Sequence, residues 1–207
     1  MPAPSLWIGV SPIVLASKSA SRRALLAEAG LPFEIEPAGL DERGIEDELS
    51  ARGEAASGLA IALARAKALT VSARRPTALV LGADQTLVLD GRPMHKAPTK
   101  AAAADALKAM SGRTHRLTSA FALARAGAIV GEGVDSADLT MRALDGEQIA
   151  RYLETAGPAV LASVGAYQIE GLGVHLFESV SGDHATILGL PMLKLLAALR
   201  GLGMLAL

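Results

Sequence analysis

Short apolar runs rich in β-branched residues and leucine alternate along this chain with longer alanine-rich stretches of helical spacing, the pattern of an α/β domain. Residues 13–16 form the first apolar run, residues 17–21 a small-polar loop, and residues 22–29 place Leu25, Leu26 and Ala29 on one stripe before Gly30. This spacing predicts strand, loop and helix. Residues 31–39 read as a second extended segment ending near the acidic pair Asp41 and Glu42, and residues 55–69 are the longest helical candidate, with a break at 74–77. Residues 78–82 have the character of a central strand, with Asp84 expected just past its end. Residues 87–89 lead into Asp90-Gly91, a pair suited to the positive φ angles of a tight hairpin.

Thr99 predicts the N-cap of a helix reaching about Met110, with Ser111 and Gly112 as its stop. Gly127 between apolar runs at 115–124 and 128–130 predicts a second hairpin. Asp145 and Gln148 have capping-box spacing ahead of Ile149, Tyr152 and Leu153, and Gly157-Pro158 ends that helix. The last third predicts a glycine-punctuated strand region at 164–180 and a final helix with Pro191 in its first turn and Leu195, Leu196 and Leu199 on one face. There is no internal repeat and no long polar linker, so a single domain over residues 1–207 is expected.

Composition narrows the function classes. Among 207 residues, 20 Lys and Arg face 21 Asp and Glu, a formal charge of −1, which argues against a protein held on nucleic acid or anionic lipid by its overall field. One Trp, two Tyr and three Phe leave few rings for stacking on bases. The absence of cysteine excludes disulfides, thiolate nucleophiles and Cys-based metal sites, and favours the cytoplasm. The apolar start lacks a basic flank and is interrupted by Pro12, so no secretory leader is expected, and no run is apolar and long enough to suggest a membrane span.

Two segments carry the most chemical information. Ser17-Lys18-Ser19-Ala20-Ser21-Arg22-Arg23 combines small hydroxyl residues and three cations at the start of a helix, a cradle for phosphate oxygens. The ordinary alternative is a solvated basic helix start. Two arginines in a first turn nevertheless oppose the helix dipole, and an anion there would resolve the placement. Gly82-Ala83-Asp84-Gln85-Thr86 puts a carboxylate at a strand end, where open α/β sheets hold ligands and where it can bind a divalent cation or take a proton from water. A plain turn aspartate is the alternative. Lys96 follows the hairpin closely enough to return to that strand end. The histidines at 95, 115, 175 and 184 have no ligand spacing, and neither a phosphate loop of the G-x-x-x-x-G-K type nor a G-x-S-x-G elbow occurs. Glu170 lies in the stretch Gly165-Ala166-Tyr167-Gln168-Ile169-Glu170-Gly171-Leu172-Gly173, where glycines either bring backbone close to a ligand or mark strand bulges.

In order along the chain, Leu-Ala-Ser-Lys-Ser from Leu15, the pair Arg22-Arg23, Asp41-Glu42, Leu-Ala-x-x-Lys-Ala from Leu63, and Gly-Ala-Asp-Gln-Thr from Gly82 resemble the Maf family of nucleoside triphosphate pyrophosphatases. Lys96-x-Pro98, the run from Leu107 to His115, Gly-Ala-Tyr from Gly165, Glu-Gly-x-Gly from Glu170 and Gly-Leu-Pro from Gly189 continue the resemblance over nearly the whole chain. It implies one α/β domain with a mixed, twisted central sheet, flanking helices and a nucleotide-binding cleft. It further implies a divalent cation, Mg²⁺ or Mn²⁺, and a homodimer. The implied reaction cleaves a nucleoside triphosphate into monophosphate and pyrophosphate. Carried over by position, Ser17, Ser19, Arg22, Arg23 and Lys67 would bind phosphates together with Lys96, Glu42 and Asp84 would hold the metal and position water, and Asp84 would accept the proton. Phosphoryl transfer rests largely on positioning and charge neutralisation, which this set supplies.

At three positions the chain resembles the branch of the family that acts on 7-methyl-GTP rather than the branch acting on dTTP and UTP. These are Ser21, within the extra residue spacing before the arginine pair, Gln85 and Glu170. A glutamate can accept hydrogen bonds from a guanine edge, and its charge favours a cationic methylated ring. The better-known members of that branch carry Trp where this chain has Ser21. A dTTP/UTP pyrophosphatase and a nucleotide-binding regulator of septum formation remain the alternatives.

Overall fold

Parallel strands need long crossovers, and the chain spends its first 80 residues providing them. The computed structural model describes residues 6–51 and 56–207. Among these, β1 (Ile13–Leu15) leads through α1 (Ala20–Glu28) to β2 (Phe33–Ile35), and α2 (Glu42–Ala51) with α3 (Ala56–Arg74) leads to β3 (Val80–Leu89). β1 pairs in parallel with both β2 and β3. β4 (Arg92–Met94), α4 (Lys100–Met110), β5 (Thr114–Arg125), β6 (Ala128–Met141), α5 (Gly146–Ala156), β7 (Phe177–Ser181), α6 (His184–Ile187) and α7 (Met192–Gly201) complete the chain. The strands form one sheet in the order β2-β1-β3-β5-β6-β7, with β4 pairing β3. Antiparallel pairing of β3 with β4 and of β6 with β7 makes it a mixed sheet, as expected for the α/β class.

The chain divides into two compact units. One comprises the residues through Gln85 together with Ser119–Asp135 and Gly189–Leu207, the other Thr86–Thr118 and Ser136–Leu188. The divisions fall inside β3, β5 and β6 rather than in linkers, which is why no boundary shows in the composition. In the first unit, Val14, Ala16, Ala38, Val71, Ala78 and Val80 form one apolar cluster, and Ala60, Ala64 and Ala68 of α3 meet Ala120, Ala122 and Ala124 of β5 in another. In the second, Leu87, Leu107, Met110, Leu117, Leu139, Met141, Leu153 and Tyr167 belong to the core on which α4 and α5 pack. No helix among the described residues is long and apolar enough to cross a membrane.

The predicted punctuation is present. Asp90 and Gly91 have φ of 48° and 77°, the left-handed pair a two-residue hairpin needs, and Ala126-Gly127 repeats it between β5 and β6. Thr99 caps α4, and Asp145 with Gln148 forms the capping box of α5. In α7, Leu195 and Leu199 are fully buried and Leu196 half-buried.

Three expectations need correction. First, β3 runs on to Leu89, so Asp84 lies inside the strand rather than past its end. The polar residues Asp84, Gln85 and Thr86 are tolerated because the parallel neighbour stops early: Leu15 and Leu81 are the last β1–β3 pair. Asp84 therefore lies beyond the carboxyl end of β1, level with the loop that follows it. Second, residues 164–180 are mostly not strand. Short 3₁₀ turns at Pro158–Ala162 and Leu172–Leu176 flank an irregular stretch, and only Phe177–Ser181 is extended. The glycines make tight turns there. The N–H groups of Gly171 and Gly173 both donate to Gln168 O, and a Cβ at Gly173 would stand 2.7 Å from the carbonyl carbon of Gln168. Third, residues 42–51 form a helix the pattern did not announce, capped by Asp41, whose Oδ1 accepts from the Gly44 N–H at 3.2 Å. The predicted start of the long helix at residue 55 lies outside the described residues, and its end extends to Arg74.

Candidate active site

The first unit brings Ser17, Ser19, Arg22, Glu42, Lys67 and Asp84 onto one network. Its construction begins with alanine and glycine. The stripe Ala60, Ala64, Ala68 gives α3 a face without bulk, and Gly82 gives β3 the same. A Cβ at Gly82 would stand 2.6 Å from Ala68 N and nearer still to Ala64 O, so α3 lies against β3 as closely as backbones permit. Lys67, next to Ala68, thereby reaches the strand position two residues beyond Gly82. Its Nζ donates to Asp84 Oδ1 at 2.5 Å and pairs with Glu42 Oε1 at 2.8 Å. Lys67 and Asp84 are both buried, whereas Glu42, the first residue of α2, keeps about half its side chain in solvent. An acidic residue in the first turn also complements the helix dipole. Asp84 Oδ2 accepts no hydrogen bond from the described residues, which leaves one carboxylate oxygen for a ligand or a proton.

Arg22 forms the other half of the network. Its Nε donates to Gly189 O at 2.9 Å, and its Nη1 donates to Ala83 O at 2.8 Å and to Ser17 Oγ at 3.1 Å. Burial depresses its pKa, and the negative charges of Asp84 and Glu42 oppose that shift. The sequence puzzle of a cation in a helix first turn thus has an internal solution in two carbonyls and two carboxylates. Ser19 is the N-cap of α1, its Oγ accepting from the Arg22 N–H at 3.4 Å, and Ser17 Oγ accepts from the Ser19 N–H at 3.3 Å. Both hydroxyls shape the loop.

Charge bookkeeping across this network is even, with Arg22 and Lys67 against Glu42 and Asp84. Lys67, expected among phosphate ligands, has both carboxylates as partners instead. Surplus positive charge for a polyanion comes from the exposed Lys18 and Arg23. Glu42 and Asp84 converge on one nitrogen, so they can converge on one cation. No group of three His, Asp or Glu placed to hold a metal ion occurs among the described residues. Two carboxylates, completed by water and substrate phosphate, are how Mg²⁺ is usually held, and the oxygen donors here suit Mg²⁺ or Mn²⁺.

Gln85 Nε2 donates to Ser119 Oγ at 3.0 Å. A Cβ at Gly189 would stand 3.5 Å from Arg22 Nε and 3.8 Å from Gln85 Oε1, so these groups border one place. Ser21 is half-buried on α1. The remaining candidates belong to the second unit. Lys96 is exposed and forms an isolated bridge with Val164, and Glu170 is exposed on the turn built over Gln168 O. That turn has an anchor beside it: Tyr167 Oη shares a 2.7 Å hydrogen bond with His115 Nε2, and its ring meets Phe177 edge-on at 4.8 Å. Burial pushes the His115 pKa down to about 4 and drives that of Tyr167 upward.

Sequence reasoning missed the Gly189 carbonyl and Ser119, and did not pair Lys67 with the two carboxylates. The polar pair Thr118-Ser119 inside the otherwise apolar run of β5 and a lysine within an alanine stripe were the available signals.

Comparison with known proteins extends these observations. Residues 12–202 match the Maf-like protein family. A "Nucleoside triphosphate pyrophosphatase" of Nitrobacter winogradskyi is 50% identical over 98% of this chain and 100% of its own length. A "7-methyl-GTP pyrophosphatase" of Rhizobium etli is 53% identical over 92% of this chain and 96% of its own. Among solved structures, a HAM1 protein from Coxiella burnetii superposes with a TM-score of 0.40 at 22% identity, covering 62% of this chain and 72% of that one. With a family match across most of its length and relatives at half identity over nearly all of it, the chain belongs to the Maf family.

Proposed function

We propose that this protein is a nucleoside triphosphate pyrophosphatase that acts on 7-methyl-GTP. It is a hydrolase of acid anhydrides, as the names of its relatives state for them. The observation that carries the reading is the convergence of Glu42 and Asp84 on Lys67 Nζ, at 2.8 and 2.5 Å, in a network that also fixes Arg22. A bound Mg²⁺ or Mn²⁺ would neutralise charge on the phosphates and lower the barrier to their attack by water. Glu42 and Asp84 would hold that ion, and Asp84 Oδ2 would take the proton that water loses as its oxygen bonds to the α-phosphorus and the anhydride between the α- and β-phosphates breaks. Pyrophosphate leaves with the bonding electron pair, and nucleoside monophosphate remains. Lys18 and Arg23 supply the charge that holds the phosphates, while Ser17, Ser19 and Arg22 set the loop on which they rest. Glu170 supports the choice of base, since its carboxylate can accept from the N1 and N2 donors of guanine and attract a methylated, cationic ring.

The test is product identification over a panel containing 7-methyl-GTP, GTP, dTTP and UTP. Pyrophosphate and monophosphate are expected, with 7-methyl-GTP preferred and the preference lost in Glu170→Gln. Release of orthophosphate would contradict the reaction, and a preference for dTTP or UTP would contradict the substrate.

A further inference from the structure

A lysine that touches both members of a carboxylate pair competes with any cation the pair would take. Lys67 is in that position: 8% exposed, 2.5 Å from Asp84 Oδ1 and 2.8 Å from Glu42 Oε1, with a place fixed by the close approach of α3 to Gly82. Its side chain is buried and paired with both carboxylates, unlike that of a surface lysine, and the alanine face of α3 is held in backbone contact with β3 at Gly82 and against Ala120, Ala122 and Ala124 of β5. Arg22 adds a second fixed positive charge to the same two carboxylates. The negative charge that a divalent cation needs is therefore already balanced inside the protein, before a nucleotide contributes its own.

Resting on the proposed pyrophosphatase reading, we infer that Lys67 is a positioning residue that keeps Glu42 and Asp84 together while holding their affinity for a divalent cation low, so that metal enters with the triphosphate rather than ahead of it. Phosphate oxygens restore the negative charge that Lys67 cancels, and they complete a coordination shell that two carboxylates alone leave mostly to water. The device prevents the pair from being filled by free cation in the wrong geometry. It also gives Lys67 a role different from that of a phosphate ligand.

Mn²⁺ binding to the protein alone, followed by electron paramagnetic resonance, tests this without any turnover. Wild type is expected to bind Mn²⁺ more weakly than about 1 mM, and Lys67→Met and Lys67→Gln at least about tenfold more tightly, because a like charge has been removed from the pair. Lys67→Arg, which keeps the charge, is expected to stay within about threefold of wild type. In EDTA, inorganic triphosphate should bind wild type and Lys67→Gln within about twofold of each other, since charge on the phosphates comes from elsewhere. Unchanged or weaker Mn²⁺ binding in the neutral variants overturns the inference, as does a tenfold loss of triphosphate binding in EDTA. Should neither neutral variant fold, wild type decides: micromolar Mn²⁺ binding without nucleotide overturns the inference, and millimolar binding supports it. Failure of wild type to release pyrophosphate from any nucleoside triphosphate would instead overturn the function, whatever the Mn²⁺ result.

Discussion

The two units bury polar groups by opposite means. In the first, Lys67 and Asp84 are buried as ion-pair partners, and the buried Arg22 is met by two backbone carbonyls. In the second, His115 and Tyr167 are buried as a neutral pair, the histidine with its pKa near 4 and the tyrosine with its pKa raised. A charge in a low-dielectric interior is costly unless paired, and a neutral group avoids most of that cost. The first arrangement keeps charge where chemistry can use it. The second holds Tyr167 beside the turn over Gln168 O without any charge.

Breaking the charged arrangement should therefore do the most damage. Lys67→Met leaves Asp84 buried without its cation and is expected to lower stability by about 4 kcal/mol, read from urea midpoints. A loss below about 1 kcal/mol would mean that the pair is solvated. The neutral arrangement fails through pH instead. His115 has a folded pKa of about 4 against 6.5 in the unfolded chain, so below pH 6.5 the unfolded state takes up a proton that the folded state refuses. Its contribution is complete above pH 6.5 and lost as pH falls toward 4, about 3 kcal/mol in all. Melting temperatures across that window should drop in wild type and flatten in His115→Gln; equal slopes would remove His115 from the account.

Smaller effects sharpen the contrast. Gly82→Ala forces α3 off β3 and is expected to cost about 2 kcal/mol while also lowering turnover, because Lys67 moves with the helix. Stability loss with undiminished turnover would separate Lys67 from the close approach. Tyr167→Phe removes one hydrogen bond to His115 and should cost about 1 kcal/mol, with KM for nucleotide rising more than kcat falls if the turn carrying Glu170 depends on this anchor.

Much of this was legible from local chemistry. Asp90-Gly91, Thr99 and the Asp145/Gln148 box are signals whose physics acts within four residues, and each appears where the pattern put it. Segments governed by distant contacts were less legible. Residues 164–180 read as strand because apolar and glycine residues alternate there, yet Gln168 O draws two N–H groups into a turn that no periodicity encodes. The site shows the same division. Asp84 could be picked out by type and place and Glu42 through the family resemblance, whereas the partners of Lys67 and Arg22 depend on where α3 and Gly189 lie in space.

In the proposed reaction Asp84 accepts the proton within a preformed charged network. Pyrophosphate release from 7-methyl-GTP by wild type and Asp84→Asn, at matched fold by circular dichroism, tests it most directly. At least about a thousandfold loss of kcat is expected in Asp84→Asn, with nucleotide still bound in EDTA. Turnover within about tenfold of wild type would contradict it.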